Sequence, residues 1–84
     1  MPSIKHVTLD VLKPHTPNAL DFARVISETQ QDIQVKLTVA AVDEKTESTV
    51  IEVHGQDIQY ELVTDAITGM GGSVHSIDEV IVSS

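Results

Sequence analysis

The chain has 84 residues, with thirteen Asp and Glu against five Lys and Arg, a formal charge of -8 at pH 7 and no cysteine. A chain of this length is expected to form one domain, residues 1–84, burying only about two-thirds of the surface that its unfolded form exposes; the lack of cysteine excludes both a disulfide framework and a thiolate metal site. The acidic surplus repels phosphate backbones and speaks against direct nucleic-acid binding, while a single Phe, a single Tyr and no Trp leave little to stack on bases or cofactors.

The N-terminal MPSIKHVTLD lacks the basic region and apolar run of a secretory signal, and no apolar stretch nears the roughly 20 residues of a membrane span. The expectation is a cytoplasmic protein with no membrane contact. With so thin a core, further stability is expected from a partner subunit or an oxygen-bound ion.

Residues Ile4 to Leu12 alternate, with Val7, Leu9 and Val11 against His6, Thr8 and Asp10, and predict a strand. KPHTP breaks it. Thr16 is the expected cap and Pro17 the expected first residue of a helix whose apolar side comprises Ala19, Leu20, Phe22, Ala23, Val25 and Ile26 and which runs to about Thr29. Alternation returns from Ile33 to Val42, with Ile33, Val35, Leu37, Val39 and Ala41 on one face. DEKTE, Asp43 to Glu47, reads as a hairpin turn, and Thr49 to His54 as a third strand with Ile51 and Val53 inward. Asp57 is the expected cap of a second helix carrying Ile58, Leu62, Ala66 and Met70 at spacing four, with Val63 and Ile67 alongside; Gly71 and Gly72 stop it. Val74 to Val82 forms the last strand.

The order β-α-β-β-α-β predicts a ferredoxin-like α+β sandwich: a four-stranded antiparallel sheet of order 4-1-3-2 with both helices on one face. That topology brings KPHTP, the DEKTE hairpin and the start of strand 4 to one end of the sheet. Asp10, His15, Asp43, Glu44, Glu47 and His75 become candidate metal ligands there, with Asp78 and Glu79 further along strand 4. Carboxylates suit Ca²⁺ or Mg²⁺, whereas His15 and His75 suit Zn²⁺. Calcium is favoured because carboxylates outnumber histidines. Asp10, between Leu9 and Val11 on a central strand, needs either a wet sheet face or a partner. Ile77 and Val80 stand three apart, so a flat pleat cannot aim both at one core; either a bulge at Asp78 and Glu79 or an interfacial edge buried on both faces explains them.

Nucleophilic catalysis has little support. There is no cysteine or GxSxG elbow, Ser76 next to His75 on a strand points to the opposite face, and GMGG follows a helix instead of opening one.

Three segments, LDVLKPHTP at 9–17, VDEKTE at 42–47 and GGSVHSIDEV at 71–80, together resemble the archaeal proteins grouped as domain-of-unknown-function family two hundred and eleven. The resemblance implies a ferredoxin-like fold, an archaeal cytoplasmic origin, and homo-oligomeric rings or larger assemblies that bind calcium or another divalent ion; it implies no established activity. It marks Asp10, Lys13 and His15, then Asp43, Glu44, Thr46 and Glu47, then His75, Ser76, Asp78 and Glu79. The chain departs from the family at its end, where IVSS stands in place of a glycine and further polar residues. The reading that results is a non-enzymatic, oligomerising, divalent-metal-binding module. Two rivals are a small-molecule-sensing regulatory domain of the same topology and, with less support, a metal-dependent enzyme using His75 as base.

Overall fold

A computed structural model describes all 84 residues. It contains β1 (Ser3–Pro14), α1 (Ala19–Ser27), β2 (Ile33–Val42), β3 (Thr46–Gly55), α2 (Tyr60–Gly69) and β4 (Ser73–Ser83). The sheet order is β2-β3-β1-β4 with every pairing antiparallel. This is the ferredoxin-like βαββαβ fold, with the strand order expected from the sequence. Its core lies between the helices and the sheet. Val7, Leu9 and Val11 of β1 and Ile51 and Val53 of β3 pack on Phe22 and Ile26 of α1 and on Val63 and Ile67 of α2. No helix is long and apolar enough to cross a membrane.

The element ends differ from the sequence pattern, and each difference has a local cause. β1 continues through Pro14 because Lys13 occupies the next inward position and pairs across the ladder with Glu47. Thr46 and Glu47 therefore belong to β3, and the turn shrinks to Asp43–Lys45. Asn18, not Thr16, caps α1: its Oδ1 accepts the Asp21 backbone N–H at 2.9 Å, and Asn outranks Thr as a cap. Pro17 accordingly precedes the cap, joined to Thr16 by a cis peptide bond. The helix ends at Ser27, two residues short of Thr29, and only Phe22 and Ile26 of its apolar residues are fully buried.

α2 begins at Tyr60, and its cap is Gln59 instead of Asp57. Ile58 is held ahead of the helix, where its N–H donates to the Ile4 carbonyl at 2.9 Å. The Gln30 amide clamps the flanking residues, accepting from Gln59 N–H at 2.7 Å and donating to the Asp57 carbonyl at 3.0 Å. Ile58 and Val63, both in the core, then stand one before the cap and four after it, the spacing of a hydrophobic staple. Leu62 turns outward, 44% exposed, so Val63 and Ile67 carry the packing that the spacing-four stripe suggested for Leu62. At the other end, Gly71 N–H donates to Thr68 O at 3.0 Å and Gly72 N–H to Ile67 O at 2.9 Å, a Schellman motif. Gly71 supplies its positive φ of 87°. At Gly72 a Cβ would lie 2.9 Å from both Ile67 Cγ2 and Phe22 Cζ.

Three register shifts separate β1 and β4: β1 has one extra residue, Lys5, between the pairs Ile4↔Val82 and His6↔Ile81, and β4 has two. Thr8 and Leu9 face Glu79 and Ile77, which leaves Asp78 bulged, while Asp10 and Val11 face Ser76 and Val74, which leaves His75 bulged. The bulge at Asp78 lets Ile77 and Val80 both stand opposite core-facing residues, Leu9 and Val7. On β2 an extra residue at Ala40 puts Ala41 opposite Ser48 and Val42 opposite Glu47. Val42 thus replaces Ala41 in the helix-side row.

Candidate functional site

The end of the sheet that gathers KPHTP and DEKTE holds a closed ion network. Lys13 is fully buried, with its Nζ 5.5 Å from the centre of the Phe22 ring. The ammonium donates to Glu47 Oε1 at 3.0 Å and to the Pro14 carbonyl at 2.8 Å. Glu47 Oε2 accepts from His15 Nδ1 at 2.9 Å, and His15 Nε2 lies 3.0 Å from the Glu44 carbonyl. Both acceptors around His15 are oxygens, so only the imidazolium satisfies both nitrogens. The His15 pKa is accordingly raised, first by Glu47 and then by the Glu44 carbonyl. Glu47 is held below the usual carboxylate range, chiefly by His15 and next by Lys13. Each oxygen of Glu47 already meets a cation.

The other expected ligands are dispersed. Asp43 and the Glu44 side chain project from the turn into solvent. Asp10 stands on the open sheet face between Val50 of β3 and Ser76 of β4; nothing in the chain covers that face, and the carboxylate stays wet. His75 is exposed on its bulge, and Asp78 accepts from Ser76 Oγ at 2.7 Å. No group of three or more His, Asp or Glu side chains in the chain is arranged to hold a metal ion.

Glu79 has a partner that sequence spacing did not suggest. Its Oε1 lies 2.9 Å from His6 Nε2, which is also 2.8 Å from Thr8 Oγ1. On the other side of the ring, His6 Nδ1 lies 3.0 Å from His54 Nδ1. The ring centres are 4.3 Å apart and their planes meet at 49°. The carboxylate can only accept, so His6 Nε2 carries a proton; in the neutral ring Nδ1 is then the acceptor, and His54 Nδ1–H donates to it. His6 is 5% exposed, while His54 reaches solvent. The signal that finds this group is the register His6↔His54 with Thr8↔Glu79, which local spacing does not contain.

The third feature is the margin of the sheet. β4 is an edge strand, and Ile77, Val80, Ile81 and Val82 are 52%, 54%, 52% and 53% exposed. On the opposite margin, β2 exposes Val39 and Val42.

A family model described as DUF211, uncharacterised ArCR, matches residues 5–84. An uncharacterised protein of Methanocaldococcus jannaschii, MJ0319, is 33% identical over 81 residues, covering 96% of this chain and 84% of that protein.

Proposed function

The chain belongs to the DUF211 family, and we propose that it is a non-catalytic self-assembling module in which the β4 edge of one copy joins the β2 edge of the next and a divalent cation, calcium first, binds where the two copies meet. The observation that carries this reading is the exposed apolar row on an unpaired edge strand. Half-exposed Ile77, Val80 and Val82 on the helix side of β4, together with free backbone groups along its outer margin, form the kind of edge that proteins ordinarily shorten, charge or cover.

The two edges complement each other. Strands alternate in direction across β2-β3-β1-β4, so a neighbour's β2 laid beside β4 continues the antiparallel pattern. The helix-side row of β2, ending in Val39 and Val42, then meets the helix-side row of β4. On the open face, Lys36 of β2 faces the strand that carries Glu79. The same continuation puts the neighbour's Asp43 and Glu44 at the end of the sheet where His75 begins β4. Carboxylates and an imidazole that are separate within one chain converge between two. A cation bound there would stabilise the assembly by mass action, and because the joined edges differ, the contact repeats into a ring or an open helix.

The test is the mass of the full chain by light scattering, with its melting temperature, in EDTA and in millimolar Ca²⁺, Mg²⁺ or Zn²⁺. The expected result is a multimer whose melting temperature rises with Ca²⁺. A monomer in all four conditions removes the proposal, and a multimer indifferent to every cation removes its metal part.

A further inference from the structure

We propose that His6 and His54 form a chelating site for a borderline d-block cation, Cu²⁺ or Ni²⁺ ahead of Zn²⁺, bound through their two Nδ1 atoms. All its residues lie in one chain, so it stands independently of self-assembly. Two imidazole nitrogens about 2 Å from one cation are roughly 2.8–2.9 Å apart in the right-angled geometry of tetragonal Cu²⁺ or Ni²⁺, and roughly 3.3 Å apart in tetrahedral Zn²⁺. The observed 3.0 Å lies nearer the first. The rings also fold toward each other: a head-on N–H···N contact of this length would hold the ring centres roughly 5 Å apart, against the 4.3 Å found. A folded pair is the arrangement two imidazoles take when bound side by side on one ion.

The surroundings favour a metal over a mere hydrogen bond. Glu79 fixes the proton on His6 Nε2, which frees Nδ1 as a ligand, and this carboxylate–histidine arrangement is the one that orients metal-bound imidazoles from behind. Cross-strand pairing of His6 with His54 fixes the backbones on which both ligands stand. Replacing the shared proton with a cation requires only that His54 move its own proton to Nε2, which faces no competing donor. His54 borders a solvent-open hollow with Lys5, Asp32, Gln34 and Gln56, giving a hydrated ion an approach and room for its remaining waters. Lys5, the cation in that hollow, is turned to the Gln56 carbonyl at 2.7 Å.

The experiment titrates the full chain with Cu²⁺ in a non-coordinating buffer, reading affinity by calorimetry and location by paramagnetic broadening of the histidine ring signals. The expected result is one Cu²⁺ per chain, with the His6 and His54 rings broadened first. His54→Gln, at an exposed position that leaves the core intact, weakens binding by at least about tenfold, as does Glu79→Gln, while His15→Gln and His75→Gln leave it unchanged. The melting curve of each variant shows that it remains folded. Broadening centred on the Met1 amino group, His15 or His75, an unchanged affinity in His54→Gln, or no binding below millimolar Cu²⁺ overturns the proposal.

Discussion

Val80→Asp tests the β4 edge most directly. Full burial of a Val or Ile side chain contributes about 1.5–3 kcal/mol relative to exposure. Ile77, Val80 and Val82 of the helix-side row are each a little over half exposed, so covering what remains yields about 1 kcal/mol apiece, or about 3 kcal/mol from the three. Association itself costs about 4–15 kcal/mol in lost freedom, so this row must be supplemented by the neighbour's β2 side chains and edge hydrogen bonds, and losing one member matters. Val80→Asp removes about 1 kcal/mol of burial and sets an unpaired carboxylate in the joint next to Asp78 and Glu79, which costs several kcal/mol when desolvated. At 1.4 kcal/mol per tenfold, association weakens by at least about a hundredfold. Within the monomer, where the site is open, the change is worth only about 1 kcal/mol of strand preference. Light scattering across a micromolar dilution series should show the variant as monomer where the parent is multimer, with a melting curve still cooperative. Leu20→Asp is the control: Leu20 is 68% exposed on α1, not on either edge strand, and an acid in the first helical turn is favourable. A Val80→Asp protein that keeps the parental mass, or a Leu20→Asp protein that loses it, would refute the argument.

Two further outcomes follow from the packing and the ion network. Gly72→Ala forces a methyl to 2.9 Å from Ile67 Cγ2 and Phe22 Cζ, an overpacking that lowers stability by about 1–3 kcal/mol in a denaturant titration; Gly69→Ala, where a Cβ meets nothing within 4 Å, should not destabilise. His15 and Glu47 shape stability against pH in opposite senses. The raised His15 pKa gives stability that is complete below the ordinary histidine value of 6.5 and is lost as pH rises through the folded value above it; the lowered Glu47 pKa gives stability that is complete above the ordinary 4.5 and is lost as pH falls through the folded value below it. Melting temperatures should therefore show the largest gap between parent and His15→Gln between those two values, narrowing as pH rises above 6.5; a gap that widens as pH rises above 6.5 contradicts the network.

The fold was legible because strand alternation and glycine punctuation carried it. Alternation in β1 and β3 gave the core faces of Val7, Leu9, Val11, Ile51 and Val53, and the double glycine gave the end of α2. Element ends were less legible, for a reason common to most of them: tertiary partners outcompete local signals. Lys13 extends β1 because Glu47 lies across the ladder, although a lysine before a proline reads as the end of a strand. Asp57 loses the cap because Ile58 is tied to Ile4 and Gln30 claims the residues on either side of it.

The site was less legible than the fold because strand bulges scramble the link between spacing and face. His75, Asp78 and Glu79 look like one cluster in the sequence, yet two of them are the extra residues of separate bulges and only Glu79 keeps a regular place opposite Thr8. Conversely, His6 and His54 are 48 residues apart and acquire a common purpose only once β1 and β3 are in register, when one ring's Nδ1 meets the other's and Glu79 closes the group from β4. Lys13 shows the same dependence in the core. A charge on an otherwise apolar face is costly until Glu47 stands opposite, and Glu47 in turn favours the imidazolium form of His15. In this small sheet the polar chemistry is written in the register of neighbouring strands, and the two bulges of β4 turn Ile77 and Val80 to the helix side of a margin that nothing in the chain covers.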